Sequence, residues 1–189
     1  MNRSVALVFA LLIAICTLYR IVPYEMRPEW LGAPQLAMAI FAGSIIKDRK
    51  LAFLLPLGSM LISDVIMQLL HSVDPSIYVG FYKGQFINYV LILSTTVIGF
   101  FIHERKAGQI LAGAIAAPVV YFLLSNFQVW IGGGGLVRAK NLAGLMQTYV
   151  DGLPFLKTSM VGTILFSGIF FGVQSVVTAS AAAKSKATV

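Results

Sequence analysis

A chain of 189 residues that is 58% hydrophobic and only 11% charged has less than half of the charged side chains of a soluble domain, which averages about 25%. This composition excludes a soluble enzyme and a disordered tail, and it predicts an all-α integral membrane protein. The net charge of +7 does not indicate a nucleic-acid partner, because the 14 Lys and Arg residues are spread over the gaps between long apolar runs.

The first apolar run, Ser4–Val22, follows Met1-Asn2-Arg3 as a signal peptide would, but no Ala-x-Ala cleavage site follows it. We therefore expect a retained first transmembrane helix. Its alanines Ala6, Ala10 and Ala14 recur at a spacing of four, which predicts a small-residue face that another helix can approach. The spacing also occurs at Ala39 and Gly43 and at Gly168 and Gly172. A lone cysteine, Cys16, excludes an intrachain disulfide and a Cys-based metal site.

Five segments are apolar over about the 20 residues that a membrane crossing needs: Ser4–Val22, Leu51–Leu70, Phe86–Ile102, Ile110–Trp130 and Ser159–Val177. A sixth, Pro34–Ile46, is too short to span alone. It could cross at a thinned point, be extended by Trp30–Ala33, or be re-entrant. We predict six transmembrane helices in a single domain over residues 1–178, followed by an Ala/Ser/Lys-rich tail over residues 179–189.

The positive charges orient these helices. Six crossings place both termini and the second and fourth loops on one side, where Lys47–Lys50 and Glu104–Lys106 form very short basic connections. Because Lys and Arg in short loops stay in the cytoplasm, we predict that both termini are cytoplasmic. The tail is then cytoplasmic too, and the protein is a multi-pass protein of the bacterial cytoplasmic (inner) membrane.

The last outer connection, Ile131–Thr158, is the longest one. Within it Leu142, Leu145, Met146 and Tyr149 recur at helical spacing, which predicts a short amphipathic helix after the hinge-like Gly132–Gly135. This helix would either rest on the bilayer surface or act as a lid.

Asp64 is the one ionisable residue well inside a predicted span. A carboxylate at the centre of such a helix costs about 2.5–3.5 kcal/mol on insertion scales, so it usually faces a bundle interior or a watery cavity. Gln68 and His71 follow on the same helical face. This polar stripe would contact a solute or an ion, or else Asp64 would join two helices by bonding to Asn88 or Asn126.

Polar residues also cluster at the outer ends of the fourth and fifth helices. The fourth has Gln85, Asn88 and Thr95 on one face, and the fifth ends with Asn126 and Gln128. This convergence predicts an outward-facing pocket bounded by the following residues: Asp64, Gln68, Asn88, Asn126, Gln128 and Arg20. The outer basic residues Arg20, Arg138, Lys140 and Lys157 would attract an anionic group or contact lipid headgroups.

Catalytic, metal and cofactor motifs are missing from the sequence. Gly132–Gly135 is not followed by the Gly-Lys-Ser/Thr of a phosphate loop, and no motif places a nucleophile. His71 and His103 fall on opposite sides in the predicted topology, so they cannot share a metal. We expect neither an enzyme nor a resident cofactor.

Several motifs resemble an uncharacterised family of bacterial six-helix membrane proteins that is itself similar to the substrate-binding S components of energy-coupling factor transporters. They are Ala39-Ile40-Phe41-Ala42-Gly43, Leu54-Leu55-Pro56-Leu57, Ser63-Asp64, the segment from Leu124 to Trp130 and the segment from Tyr149 to Phe155. The likeness covers roughly Arg20 to Gly172. The sequence departs from the family at Leu31-Gly32-Ala33-Pro34, where an Asn-Phe-Ala-Pro-like stretch is usual.

The resemblance implies a subunit that captures a small solute, such as a vitamin, from outside. A transmembrane coupling protein with ATPase subunits would then drive uptake, and it would contact Ala6 and Ala10, with Ala14 as an extension. The alternative is an accessory subunit of a larger membrane complex without a ligand. A third hypothesis, a proton-coupled carrier using Asp64, is weaker because the sequence has no internal repeat.

Overall fold

The computed structural model describes residues 28–132 and 138–187, together with residues 10, 14, 15, 17–19, 21, 22 and 26. These residues form helices and short turns, and no strand occurs among them. The helices are α1 (Gln35–Ile45), α2 (Arg49–Val73), α3 (Gln85–Ser94), α4 (Thr96–Gly99), α5 (Ala107–Gly132) and α6 (Leu142–Ala187). Before α1, the described residues 10, 14, 15, 17–19 and 21 are also helical.

Within the described part of the chain, three helices are long and apolar enough to cross a membrane: α2, α5 and the Leu142–Ser180 part of α6. The helix α1 and the pair α3–α4 are apolar but shorter. The protein is therefore an all-helical protein with the character of a membrane protein. The count of six crossings stays a prediction, since the first predicted span lies largely outside the described residues.

The short helix α1 lies at the centre of the bundle. Every residue from Gln35 to Gly43 is buried, and α2, α4, α5 and α6 all pack against this helix. The ring of Phe41 lies 6.0 Å from that of Phe170 and 5.1 Å from that of Phe171. With 11 residues, α1 is only about 16 Å long. Its apolar side chains therefore face other helices rather than lipid.

Glycines set the closest helix crossing. A Cβ on Gly43 would lie 2.2 Å from the Thr96 carbonyl oxygen, and one on Gly99 would lie 2.2 Å from that of Ile40. The backbones of α1 and α4 thus touch where Gly43 was expected to permit close packing. Gly168 and Gly172 behave differently, because a Cβ added to either would meet nothing within 4 Å among the described residues.

The prediction of a separate amphipathic helix in the last outer loop is wrong. Leu142, Leu145, Met146 and Tyr149 are helical, but they belong to α6, which runs without a break for 46 residues. Its length of about 69 Å exceeds the hydrocarbon core of about 30 Å. The predicted tail is also helical as far as Ala187. Within the Gly132–Gly135 hinge, Gly132 is the last residue of α5, and residues 133–135 lie outside the described part of the chain.

The predicted outer connection Ile131–Thr158 contains Gly152 and Pro154, two residue types that usually end helices. In the structure Gly152 instead allows α5 and α6 to approach each other. A Cβ at this position would lie 2.4 Å from Oδ1 of Asn126. Pro154 lies inside the helix, and its carbonyl accepts a hydrogen bond of 3.1 Å from Oγ1 of Thr158. Packing between helices therefore outweighs the local preference for a turn.

Candidate functional site

A cavity of about 270 Å³ lies at one end of the bundle, where α1 begins, α2 approaches its end and α3 begins. Both polar and aromatic side chains line it. The lining residues among those described are Ala33, Gln35, Leu36, Met60, Asp64, Tyr82, Asn88, Tyr89, Ile92, Tyr121 and Ser159. The cavity is small, near the lower limit of typical small-molecule sites of about 300–1,000 Å³.

Asp64 is fully buried on α2 and joins this helix to α3. Its Oδ2 accepts hydrogen bonds from Nε2 of Gln85 and from the hydroxyl of Tyr89. Gln85 and Tyr89 also contact each other at 2.8 Å, and they are four residues apart on α3. The helix-joining alternative for Asp64 thus has a structural basis, with Gln85 and Tyr89 as partners rather than Asn88 or Asn126. The same carboxylate lines the cavity.

Two more polar residues of α2, Gln68 and His71, hold the loop between α2 and α3. Oε1 of Gln68 accepts hydrogen bonds from the backbone N–H groups of Gly80 (3.2 Å) and Phe81 (3.3 Å). Nδ1 of His71 lies 2.5 Å from the carbonyl oxygen of Ile77 and, with its proton on this nitrogen, donates to it. The predicted stripe of Asp64, Gln68 and His71 therefore faces this loop and the start of α3.

Two further features fix the same loop. A Cβ on Gly80 would lie 1.9 Å from the Asp64 carbonyl oxygen and 2.6 Å from the Gln68 nitrogen, so the backbones touch. At the start of the loop, the carboxylate of Asp74 accepts hydrogen bonds from the hydroxyl (2.7 Å) and the backbone N–H (2.9 Å) of Ser76. The hydrogen bond from the Ser76 hydroxyl is the larger cause, and with the bond from the N–H it holds the pKa of Asp74 below its usual value.

A second hydrogen-bonded chain closes the cavity on the side of α5. The hydroxyl of Tyr121 donates to Oδ1 of Asn88 at 2.5 Å, and Nδ2 of Asn88 donates to the hydroxyl of Tyr82 at 3.1 Å. This chain connects α5, α3 and the loop before α3. Of the predicted site residues, Asp64 and Asn88 thus line one cavity, and Gln68 holds the loop beside it.

The other predicted site residues lie elsewhere. Asn126 does not line this cavity, and its Nδ2 donates to the carbonyl of Phe122 one turn earlier at 2.9 Å. Gln128 is half-buried on α5 and is also absent from the lining. Arg20 lies outside the described residues. Of the predicted interface alanines, Ala10 and Ala14 are helical and exposed, and Ala6 lies outside the described residues.

The basic residues Arg138, Lys140 and Lys157, which were predicted to face outward, form no part of the cavity wall. Nη2 of Arg138 lies 2.5 Å from Oδ2 of Asp151, which forms an ion pair within that region. Lys140 donates to the carbonyl of Ile131 at 3.0 Å and lies 5.4 Å from the ring centre of Trp130. Lys157 is exposed on α6. No Lys or Arg occurs among the described residues that line the cavity.

Sequence reasoning left Gln35, Gln85 and Tyr89 out of the site. Gln85 and Tyr89 are four residues apart, so they lie on one face of a helix. This spacing was the pattern from which a shared contact could have been predicted. Gln35 gave a weaker one, as a large polar residue after Pro34 at the start of an apolar run. Its Oε1 is buried and has no hydrogen-bond partner among the described residues.

A neighbouring cavity of about 440 Å³ shares Ala33 and Ser159 with the first one. The segment from Leu31 to Ala33 lies along it and is tied to α6, because the N–H of Gly32 donates to the Thr158 carbonyl at 3.1 Å.

Among the described residues no three His, Cys, Asp or Glu side chains lie close enough to hold a metal ion. The amides, phenols and carboxylate around the first cavity can bind a small solute by hydrogen bonds, and its apolar walls can cover the rest.

Comparison with known proteins gives one finding. Residues 1–186 match the model of DUF6580, which is described as a family of unknown function. Neither a curated protein nor a solved structure matches the chain.

Proposed function

We propose that this chain, which belongs to the DUF6580 family of unknown function, binds a small solute in the cavity beside Asp64. The observation that carries the proposal is a cavity lined by a carboxylate, amides and phenols inside an apolar helical bundle. Polar groups in a membrane-embedded bundle are costly, and they usually mark a path or site for a solute. A small concave site with a few polar groups and apolar walls is also the usual form of a ligand pocket.

The solute would enter from outside the cytoplasmic membrane. The cavity lies at the bundle end where α1 begins and α2 finishes, and six crossings with cytoplasmic termini would turn this end outward. The neighbouring cavity beside the segment from Leu31 to Ala33 would then provide the approach.

The partner in this proposal is a transmembrane coupling protein with ATPase subunits, as the resemblance to S components implies. Ala10 and Ala14 are exposed on a helical segment, so another helix can reach them. The protein would thus be the substrate-binding subunit of a modular importer in the bacterial cytoplasmic membrane.

Native mass spectrometry of the full chain, released gently from its own membrane, tests the proposal. We expect a co-purifying small molecule that is lost in Asp64→Asn and kept in Asp151→Asn, a matched change outside the cavity. Asn126→Ala separates this site from one nearer the outer ends of α5 and α6. If Asn126→Ala loses the molecule while Asp64→Asn keeps it, the solute binds there instead.

The second candidate is an accessory subunit without a ligand of its own. A groove of about 610 Å³ between α5 and α6 favours it, since apolar and small residues that include Gly168 and Gly172 line most of the groove, together with Glu104 and Arg105. A chain that purifies without a small molecule, in fixed ratio with another membrane protein, would support this candidate. In that case Gly168→Leu, which fills the groove, would release the partner.

A further inference from the structure

Gln35 is the first residue of α1 and lines the cavity beside Asp64. It is 9% exposed, and its Oε1 is fully buried without a hydrogen-bond partner among the described residues. Two hydroxyls of the cavity have other acceptors, because Tyr89 donates to Asp64 and Tyr121 donates to Asn88. The Gln35 amide oxygen is therefore a buried acceptor that has no hydrogen-bonded donor among the described residues.

Such a group lowers the stability of the folded protein. A buried polar atom without a partner loses its hydrogen bonds to water on folding, whereas Leu or Met would fill a similar volume without that cost. Except for Ser44, the other residues of α1, Leu36–Ile45, are apolar, so Gln35 also differs from its own helix. Stability is commonly sacrificed in this way where a side chain serves binding.

We propose that Gln35 is a specificity-determining residue, whose amide oxygen accepts a hydrogen bond from an N–H or O–H group of the solute. The inference rests on the proposed solute-binding function and narrows its substrate class. The solute is a small molecule that presents a hydrogen-bond donor at the start of α1. Its remaining surface is covered by Leu36, Met60 and Ile92 and by the tyrosines of the cavity.

Affinity selection followed by mass spectrometry tests this assignment. The probe is the small-molecule fraction of yeast extract, and the proteins are the detergent-solubilised full chain and three variants. Gln35→Met removes the acceptor, and Gln35→Asn keeps an amide oxygen without adding a charge to the cavity that contains Asp64. Ser59→Ala is the matched control, since Oγ of Ser59 is also buried without a partner among the described residues but does not line the cavity.

We expect the wild-type chain to retain a compound that carries an N–H or O–H donor. Gln35→Met should weaken its binding about tenfold or more and Gln35→Asn less than that, while Ser59→Ala stays within about threefold. Gln35→Met should melt at the same or a higher temperature than the wild-type chain, because it removes an unpaired buried acceptor. A residue with only a structural role would instead lower the melting temperature.

Two results would overturn the assignment, and they differ from each other. If Gln35→Met retains the compound as well as the wild-type chain does, Gln35 does not bind the solute, although the solute-binding function stands. If the wild-type chain retains no compound at all, the proposed function fails, and the inference fails with it.

Discussion

One carboxylate oxygen, Oδ2 of Asp64, accepts hydrogen bonds from two side chains of α3, Gln85 and Tyr89. Hydrogen bonds to a charged group contribute about 1.5–3 kcal/mol, roughly twice the value for neutral pairs. Asp64 therefore stabilises the contact between α2 and α3 and shapes the cavity wall as well. A solute that reaches this wall meets a carboxylate whose position is already fixed.

We predict that Asp64→Asn lowers the free energy of unfolding by about 1–3 kcal/mol. The asparagine oxygen can take the place of Oδ2, but hydrogen bonds from Gln85 and Tyr89 to a neutral amide are weaker than those to a carboxylate. Thermal unfolding in detergent measures the loss. Asp151→Asn is the control, because its ion pair with Arg138 is partly exposed and such pairs contribute little to stability. Equal melting temperatures for Asp64→Asn and the wild-type chain would show that Asp64 does not join the helices.

Part of the site is visible in the sequence. Asp64 and Asn88 are identified by polarity alone, since each interrupts an apolar segment, and both line the cavity. Polarity also marks Gln85, but its bond to Asp64 does not follow from the sequence. The places of Gln35 and Tyr89 in the site do not follow either, because such contacts depend on how α1 and α3 are rotated about their axes. Asn126 and Gln128 meet the same polarity criterion but lie on other parts of α5. A polar residue in a span indicates a buried partner without identifying it.

At the scale of the elements, the loop between α2 and α3 is held by its backbone as much as by side chains. Gln68 and His71 bind its N–H and carbonyl groups, and Gly80 brings it against α2. Gly84, with a φ of 91°, takes the left-handed conformation that starts α3. The loop is therefore part of the cavity wall, since Tyr82 within it also lines the cavity.

Gly80→Ala should displace this loop. Its Cβ would overlap backbone atoms of Asp64 and Gln68, and neither can move without distorting α2. We expect a loss of about 1–3 kcal/mol in the free energy of unfolding and faster hydrogen exchange at Gly80 and Phe81. Gly58→Ala, on the helix α2 that Gly80 contacts, is the matched control, because its Cβ would meet nothing within 4 Å among the described residues. That variant should gain about 0.5–1 kcal/mol, as alanine does in helix interiors.

The crossing of α1 and α4 gives a second test at this scale. Gly43→Ala would place a methyl group 2.2 Å from the Thr96 carbonyl, so we expect the two helices to separate and the melting temperature to fall by several degrees. Gly168→Ala, whose Cβ faces open space, should leave the melting temperature unchanged or raise it slightly. Equal effects of the two changes would mean that α1 and α4 are not in backbone contact.

Element positions follow from the sequence where apolar runs are long. The predicted spans Leu51–Leu70 and Ile110–Trp130 fall inside α2 and α5, and Phe86–Ile102 overlaps α3 and α4. The continuity of α6 does not follow, because Gly152 and Pro154 have the local preferences of a turn. At Gly152 the helix packs closely against Asn126 of α5, and this contact joins residues distant in sequence.

At the scale of the whole molecule, two halves of the bundle differ in chemistry. The half with the cavity contains the buried carboxylate and amides, and the other contains an apolar cluster around Phe41, Phe166, Phe170 and Phe171. The cavity end therefore offers hydrogen-bonding groups to a solute, whereas the core of the other half is filled by packed aromatic rings. The side of the membrane that the cavity end faces therefore decides from which side a solute would bind.

Cysteine labelling measures that orientation. With Cys16 replaced by Ser, single cysteines are introduced at exposed positions in four connections: Asp48, Lys83, Lys106 and Ala139. We expect a membrane-impermeant maleimide to label Lys83→Cys and Ala139→Cys in intact spheroplasts, and Asp48→Cys and Lys106→Cys only after permeabilisation. The reverse pattern would turn the cavity toward the cytoplasm and contradict capture from outside. Labelling of Asp48→Cys and Lys83→Cys from the same side would contradict a crossing by α2.

The buried helix α1 has a consequence for how the protein is made. A segment of 11 residues is too short to be released alone into lipid by the insertion machinery, which favours about 20 apolar residues. Only residues 46–48 separate it from α2, which is long enough to span. Biogenesis should therefore insert the two as a hairpin, with α1 protected until α5 and α6 are synthesised and surround it. The central helix of the finished bundle is thus among the last to reach its final environment, although it is translated early.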